Sequence, residues 1–237
     1  MPYKAAARLL SQATKHDLQP PIVAQLAALL TALAAEPAPP TSVTDPVEAV
    51  DVHVADGLSG LGAPQLRAAT RIADLGAGAG FPGLVLAAAL PNAKVDLIES
   101  TARKCEVIAR LATAAEIGNA TAIPVRAEEW ASSDGANQYE AVTARALSSL
   151  AVLAEYAAPL LELDGTLIAW KGARDPEEEQ AGNEAARILG LTPRPPIPVR
   201  PYKGSRERNL YVYVKTEPTP DRFPRRPGMA TKRPLGS

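Results

Sequence analysis

The run from Arg71 to Leu84, RIADLGAGAGFPGL, constrains the fold of this chain more than any other stretch. RIADL is short and apolar and reads as a buried strand. Gly76, Gly78 and Gly80 follow at alternate positions. Glycine reaches positive φ without steric cost and carries no Cβ, so this run allows a sharp turn and the close approach of a ligand to the backbone. FPGLVLAAAL then reads as a helix with Pro82 near its start, whose first N–H groups are free to face the loop. KVDLIES reads as a second strand ending at Glu99. Strand, glycine loop, helix, strand and acid, in that order, describe a nucleotide-binding βαβ unit. The plain alternative is a glycine-rich turn without a ligand, which the joint pattern disfavours.

The rest of the chain alternates in the same way. ARKCEVIARLATAAEIG reads as an amphipathic helix closed by Gly118, TAIPVRAEE as strand and turn, and EAVTARAL as a strand. SSLAVLAEYAAPLLEL is a helix, GTLIAWKG a strand, and DPEEEQAGNEAARILG a helix with an acidic, solvated first turn at Asp175 and Glu177 to Glu179. PPIPVRPYK and NLYVYVK are expected to pair as an antiparallel hairpin at one sheet edge. Alternating strands and helices imply a mostly parallel sheet. Upstream, residues 1–35 read as helix, EPAPPT as a breaker, and Asp45-Pro46 as the start of a second helix through VEAVDVHVADGLSGL. The expected divisions are a helical N-terminal extension (1–65), an α/β domain (66–217) and a basic, Pro-rich, extended and flexible tail (218–237).

Composition removes several chemistries. One cysteine, Cys105, makes no internal disulfide and no cysteine-based zinc site, and two histidines do not make a metal centre. No run reaches the roughly 18 apolar residues of a membrane span, and the N-terminus lacks the apolar core of a signal peptide, so a cytoplasmic protein is expected. Aromatics make up 4%, too few for base stacking to dominate nucleic-acid binding. Residues 194–233 hold 11 Lys/Arg against 3 Asp/Glu, while the remainder carries a net negative charge. That split points either to a C-terminal face that meets polyanions or to a solvated basic tail.

The glycine loop admits two cofactors. Gly78 to Gly83 satisfies GxGxxG, the dinucleotide signature. Three features favour S-adenosylmethionine: the complete acid-x-Gly-x-Gly-x-Gly run from Asp74 to Gly80, Pro82 opening the next helix, and no later segment resembling a hydride-acceptor domain. Asp74 is placed to orient the loop or to meet the amino-acid end of the ligand, and Glu99 to accept both ribose hydroxyls, a role shared by both cofactor classes. The expected fold class is therefore an α/β, class I S-adenosylmethionine-dependent methyltransferase. Its Rossmann-like sheet is mostly parallel and seven-stranded with an antiparallel edge.

DLGAGAGFPGLVLA, TARALSSL, the AWKG strand end and RNLYVYVK resemble the RsmG family, also called glucose-inhibited division protein B: 16S ribosomal RNA guanine-N7 methyltransferases of the small ribosomal subunit. The resemblance spans about Thr41 to Lys215, and the basic end PRRPGMATKRPL resembles that of actinobacterial members. It implies cofactor contacts at Gly76 and Phe81, ribose contacts at Glu99, Ser100 and Thr101, and adenine contacts at Ala127 and Glu128. It places Arg145 beside both cofactor and target, and Lys171 at the family's Lys-Gly. The chain departs from the family at Ala102-Arg103-Lys104, at Arg208-Asn209-Leu210, and at Ser42-Val43-Thr44 before His53.

Guanine N7 carries a lone pair and no proton, so its methylation needs alignment and no general base. The chain lacks an Asn-Pro-Pro-Tyr motif and a strand-end cysteine, as that reaction allows. Arg145 is the candidate catalytic residue, in an orienting role, because the usual bidentate arginine grip on O6 and N7 would cover the reacting atom. The alternative for Arg145 is an ion pair with a strand-end carboxylate such as Asp74. Arg103, Lys171, Arg208, Arg222, Arg225 and Arg226 are the candidate phosphate contacts. His53 is expected to pack, and Trp130 and Trp170 to line core or pocket. A monomer without a metal, acting on 16S rRNA of the small subunit, completes the expectation.

Overall fold

Helices α1 (Tyr3–His16) and α2 (Pro20–Ala35) open the chain in the computed structural model, which describes residues 1–236. The single helix expected over residues 1–35 is thus two. Asp17 takes a left-handed φ of 52° and ends α1, and Pro20-Pro21 disfavour helical backbone in the residues that precede them. Asp45 caps α3 (Pro46–Ala49) as expected, its carboxylate accepting from Val47 N at 3.0 Å and Glu48 N at 2.9 Å. The helix then loses regularity. It passes through a π-helical stretch (Val50–Ala55), α4 (Asp56–Leu58) and a 3-10 turn (Ser59–Gly62) before α5 (Pro64–Ala68). π turns are rare and recur at functional sites; this one carries His53 and delivers Asp56.

The sheet follows from β1 (Arg71–Leu75), β2 (Lys94–Ile98), β3 (Ala120–Ile123), β4 (Tyr139–Arg145), β5 (Leu161–Lys171), β6 (Leu191–Pro193), β7 (Ile197–Val199) and β8 (Arg208–Lys215). Between them lie α6 (Gly83–Ala89), α7 (Ala102–Ala114), α8 (Ala127–Ala131), α9 (Leu150–Ala157) and α10 (Pro176–Ile188). Strand order is β3-β2-β1-β4-β5-β8-β6, and β7 also pairs with β8. The first five strands are parallel, and β8 runs antiparallel to β5, β6 and β7. The sheet has eight strands instead of seven because the three-residue β6 is too short to leave a periodic trace. The chain reverses its direction of winding between β1 and β4, and open α/β sheets bind ligands at such switch points.

Alternation along the strands divides the core. Ile72, Val95 and Leu97 face one layer with Leu9 of α1, Leu26 of α2, Leu84 of α6 and Ile108 of α7. Ala73, Leu75 and Ile98 face the other, with Leu153 of α9 and Ala186 of α10. The N-terminal helices therefore complete a layer of the α/β domain.

The tail departs from the extended, flexible form expected. Phe223 is buried in the second layer, and the Arg225 guanidinium forks onto the Glu155 carboxylate at 2.7 and 2.5 Å. A short α11 (Met229–Lys232) follows. One aromatic and one cation facing a buried acid anchor a segment whose composition alone reads as disordered. Ser237, the end of the expected tail, lies outside the described residues.

Candidate active site

Two cavities adjoin at the switch point. The first, of about 380 Å³, lies beyond the carboxyl ends of β1 and β2, against α8. Its lining includes Gly76, Glu99, Ser100, Thr101, Ala127 and Glu128. The second, of about 370 Å³, is lined by Val52, Asp56, Arg145, Trp170, Lys171 and Arg208, among others. Ala146, which follows β4 with a left-handed φ of 53°, lines both. A non-glycine residue at positive φ is strained, and such strain recurs where a site over-determines the backbone.

The loop is set from beneath. Asp74 is fully buried; its Oδ2 accepts the Gly83 N–H at 2.9 Å and its Oδ1 the Thr143 hydroxyl at 2.8 Å. Burial pushes its carboxyl up to about 6, against the opposing pull of those two hydrogen bonds. A Cβ on Gly83 would stand 2.6 Å from Leu97 and 2.8 Å from Asp74 Oδ2, so this close approach demands glycine. Glu99 secures the other side. Its Oε2 accepts the Gly78 N–H at 3.1 Å, its Oε1 the Thr101 N–H at 2.9 Å, and the Lys104 ammonium stands 3.8 Å away.

The cavity fits S-adenosylmethionine. Its volume lies in the usual range for small-ligand sites. Each Glu99 oxygen has one protein donor and retains acceptor capacity for a ribose hydroxyl. On its wall, Gly76 takes a left-handed φ of 62°, a backbone conformation that favours glycine.

Arg145 finds a carboxylate, and it is Asp56 instead of Asp74. Its Nη1 donates to Asp56 Oδ2 at 3.0 Å and to Val52 O at 2.8 Å. Asp74 is engaged beneath the loop, whereas Arg145 at the end of β4 reaches the irregular N-terminal helix. Arg208 Nε stands 3.5 Å from the other Asp56 oxygen. Lys171 pairs with Glu178 at 2.6 Å and donates to Ser148 O at 3.2 Å. The expected solvated acids therefore have partners: Glu178 holds Lys171, and Glu179 holds Arg174 at 2.7 Å and the Tyr211 hydroxyl at 2.6 Å. Trp170 Nε1 donates to Asp56 O at 2.9 Å and to Ser59 Oγ at 3.1 Å. Trp130 instead donates to the Tyr139 hydroxyl at 2.8 Å, away from both cavities.

Not every expected cofactor residue reaches the first cavity. Gly76, Gly78, Glu99, Ser100, Thr101, Ala127 and Glu128 line it; Asp74, Gly80, Phe81 and Arg145 do not. Phe81 is buried and stacks on His53, ring centroids 4.2 Å apart. His53 Nε2 lies 3.1 Å from Val43 O, and burial first, then the charge of Arg145, lowers its pKa to about 4. Among the expected phosphate contacts, Arg145's neighbours Lys171 and Arg208 converge on the second cavity. Arg103 is exposed and lines neither cavity. Arg222 lies over the Phe223 ring at 5.2 Å, and Arg226 is exposed. Arg225 is committed to Glu155, so its expected phosphate role gives way to a structural one.

Sequence reasoning misses three participants. Asp56 is one of three acids in the run VEAVDVHVADGLSGL, and nothing in the sequence separates it from Glu48 and Asp51. Tyr156 lines the first cavity and its hydroxyl lies 3.2 Å from Thr231 Oγ1. Gly228 donates its N–H to Glu128 Oε1 at 2.8 Å across 100 residues. No local pattern encodes either contact.

Switch-point topology, the glycine loop and the acid ending β2 form a nucleotide site, and with antiparallel β8 inserted between β5 and β6 the sheet is that of a class I, S-adenosylmethionine-dependent methyltransferase. The fold is similar to that of cofactor-bound Rv0187 from MTB, with a TM-score of 0.55 at 15% identity over 92% of this chain and 99% of that one. It is also similar to the Methanococcus jannaschii fibrillarin pre-rRNA processing protein, with a TM-score of 0.50 at 19% identity over 65% and 70%. The family described as GidB, rRNA small subunit methyltransferase G, matches residues 25–195. Ribosomal RNA small subunit methyltransferase G of Rubrobacter xylanophilus is 38% identical over 187 residues, covering 77% of this chain and 72% of its own. That of Pelotomaculum thermopropionicum is 39% identical over 201 residues, covering 82% of each. The chain belongs to the rRNA small subunit methyltransferase G family, and the choice that GxGxxG leaves open resolves to S-adenosylmethionine.

Proposed function

We propose that this chain, a 16S rRNA guanine-N7 methyltransferase by family, binds its cofactor in the first cavity and the target guanine in the second, with Arg145 orienting the base. The observation that carries this reading is the adjacency of the two cavities across Ala146. The bound cofactor supplies an electrophilic methyl group on a sulfonium.

The protein's own contribution is placement. N7 has no proton to lose, so no side chain need act as a base, and holding the two partners in line with water excluded lowers the barrier. Asp56 and Val52 O hold Arg145 by Nη1, while among the described residues its Nε and Nη2 make no hydrogen bond. Those donors suit O6 or an adjacent phosphate and leave N7 uncovered. Methylated guanine gains positive charge, and the Asp56 carboxylate offsets it where the guanidinium alone would oppose it. N7 needs no Lewis acid, so the reading includes catalysis without a metal, and it takes the chain to act as a monomer. The reading also takes the protein to be cytoplasmic, in keeping with an rRNA substrate.

Arg145→Ala tests the assignment. Transfer of labelled methyl to 16S rRNA is expected to fall at least 100-fold, while affinity for S-adenosylhomocysteine, read by calorimetry, stays within about threefold. Near-normal turnover would overturn the orienting role.

A further inference from the structure

The cation-rich C-terminal third is only partly available to RNA. Lys215 is buried, donating to Asn137 Oδ1, Ala158 O and Leu161 O at 2.6 to 2.9 Å. Arg225 is tied to Glu155 and Arg208 leans on Asp56. The loop between β7 and β8 is different. Arg200, Lys203 and Arg206 are exposed, and none of the three makes a side-chain hydrogen bond or ion pair among the described residues. They line a groove of about 1150 Å³ closed on its far side by α1, and Lys15 and Arg208 complete its basic lining against one acid, Glu207.

The groove is built, not incidental. Lys15 Nζ donates to Arg200 O at 3.0 Å and Pro201 O at 3.2 Å, and Gln12 Nε2 donates to Pro201 O at 3.3 Å. Three bonds from one helix thus hold the loop backbone and leave the loop's own cations outward. Arg208 lines both this groove and the cavity of Arg145, so the two adjoin at that side chain. All of the groove's lining residues lie on either side of the 25–195 match, in α1 and from the end of β7 to the start of β8.

We infer that this groove is the channel for the rRNA backbone flanking the target nucleotide, with Arg200, Lys203 and Arg206 as its phosphate contacts. The inference rests on the second cavity holding the target base. Unpaired cations beside that cavity neutralise phosphates one or more nucleotides away, whereas in the docked C-terminal segment Arg225 is tied to Glu155 and the exposed Arg226, Lys232 and Arg233 line neither the groove nor that cavity. Each phosphate contact releases counterions and contributes about 0.7 to 0.9 to the slope of log affinity against log salt.

The test is binding of the full chain to unmodified 16S rRNA and to unmodified small subunits across a series of KCl concentrations. The Arg200→Ala/Lys203→Ala/Arg206→Ala variant is expected to bind about 10 to 100-fold more weakly at physiological salt, with a slope shallower by about 2 to 3. Its affinity for S-adenosylhomocysteine stays at the wild-type value, and Arg200→Lys/Arg206→Lys retains the wild-type slope. A triple variant with unchanged rRNA affinity and slope overturns the channel, as does a larger loss from Arg226→Ala/Lys232→Ala/Arg233→Ala. Wild-type chain that binds neither rRNA nor subunit overturns both this inference and the function on which it rests; wild-type methylation with an unaffected triple variant overturns the channel alone.

Discussion

Asp74 shows how one residue's environment decides its role. At the end of β1 its type fits loop support or a ligand contact equally well. Complete burial, with Gly83 N–H and the Thr143 hydroxyl as its donors, commits it to the loop. Its carboxyl titrates near 6 in the folded chain against 3.8 when free. Between those values the native state holds a proton that the unfolded chain has released. The resulting stability is fully present below 3.8 and is lost as pH rises through 6. Asn at this position does not titrate. Asp74→Asn is therefore expected to gain on wild type by up to ~3 kcal/mol between pH 4 and pH 7.5, measured by urea unfolding at each pH. A difference that does not vary with pH would contradict the raised carboxyl.

At the scale of elements, the C-terminal segment behaves unlike its composition. Proline and basic residues read as extended chain because they offer little apolar surface to bury. Here Phe223 supplies that surface, and Glu155 of α9, almost wholly buried, supplies a charge that needs a partner. Removing Arg225 strands that carboxylate. Because the guanidinium keeps some exposure, Arg225→Ala is expected to cost about 2–4 kcal/mol, read as a lower Tm, with rRNA affinity little changed. The opposite pattern, weaker rRNA binding at constant Tm, would return Arg225 to the phosphate-contact set. The same contrast separates the two kinds of helix start in the chain. Asp45 is legible as a cap because the capping bond is local, and Asp175, read only as part of an acidic first turn, caps α10 in the same local way, whereas the pairing of Glu178 with Lys171 depends on where β5 ends.

At the scale of the molecule, the N-terminal helices are structural partners of the sheet. Leu26 of α2 is completely buried in the layer that contains Ile72 and Leu97. Leu26→Ala is expected to cost about 2–5 kcal/mol. The unfolding followed by tryptophan fluorescence is expected to shift together with that followed by far-UV circular dichroism, since Trp130 and Trp170 sit in the α/β domain. Separate transitions would mean that residues 1–65 fold independently. This shared layer also explains why Asp56 and Lys15, both from the N-terminal part, reach the active site and the basic groove.

The alternation of strands and helices, the glycine loop and the acid ending β2 are set by contacts within a few residues, and the sequence by itself determined them. With the motifs near Arg145 and Arg208 it determined the cofactor class and the family as well. What only the tertiary structure decided is pairing across the chain: Arg145 with Asp56, Glu128 with Gly228, Arg225 with Glu155, and α1 with the β7–β8 loop. Each joins residues 70 or more positions apart. Charge and residue type name the candidates for such bonds, but which candidates meet is fixed by strand order and by the burial that limits each polar group to the partners brought beside it.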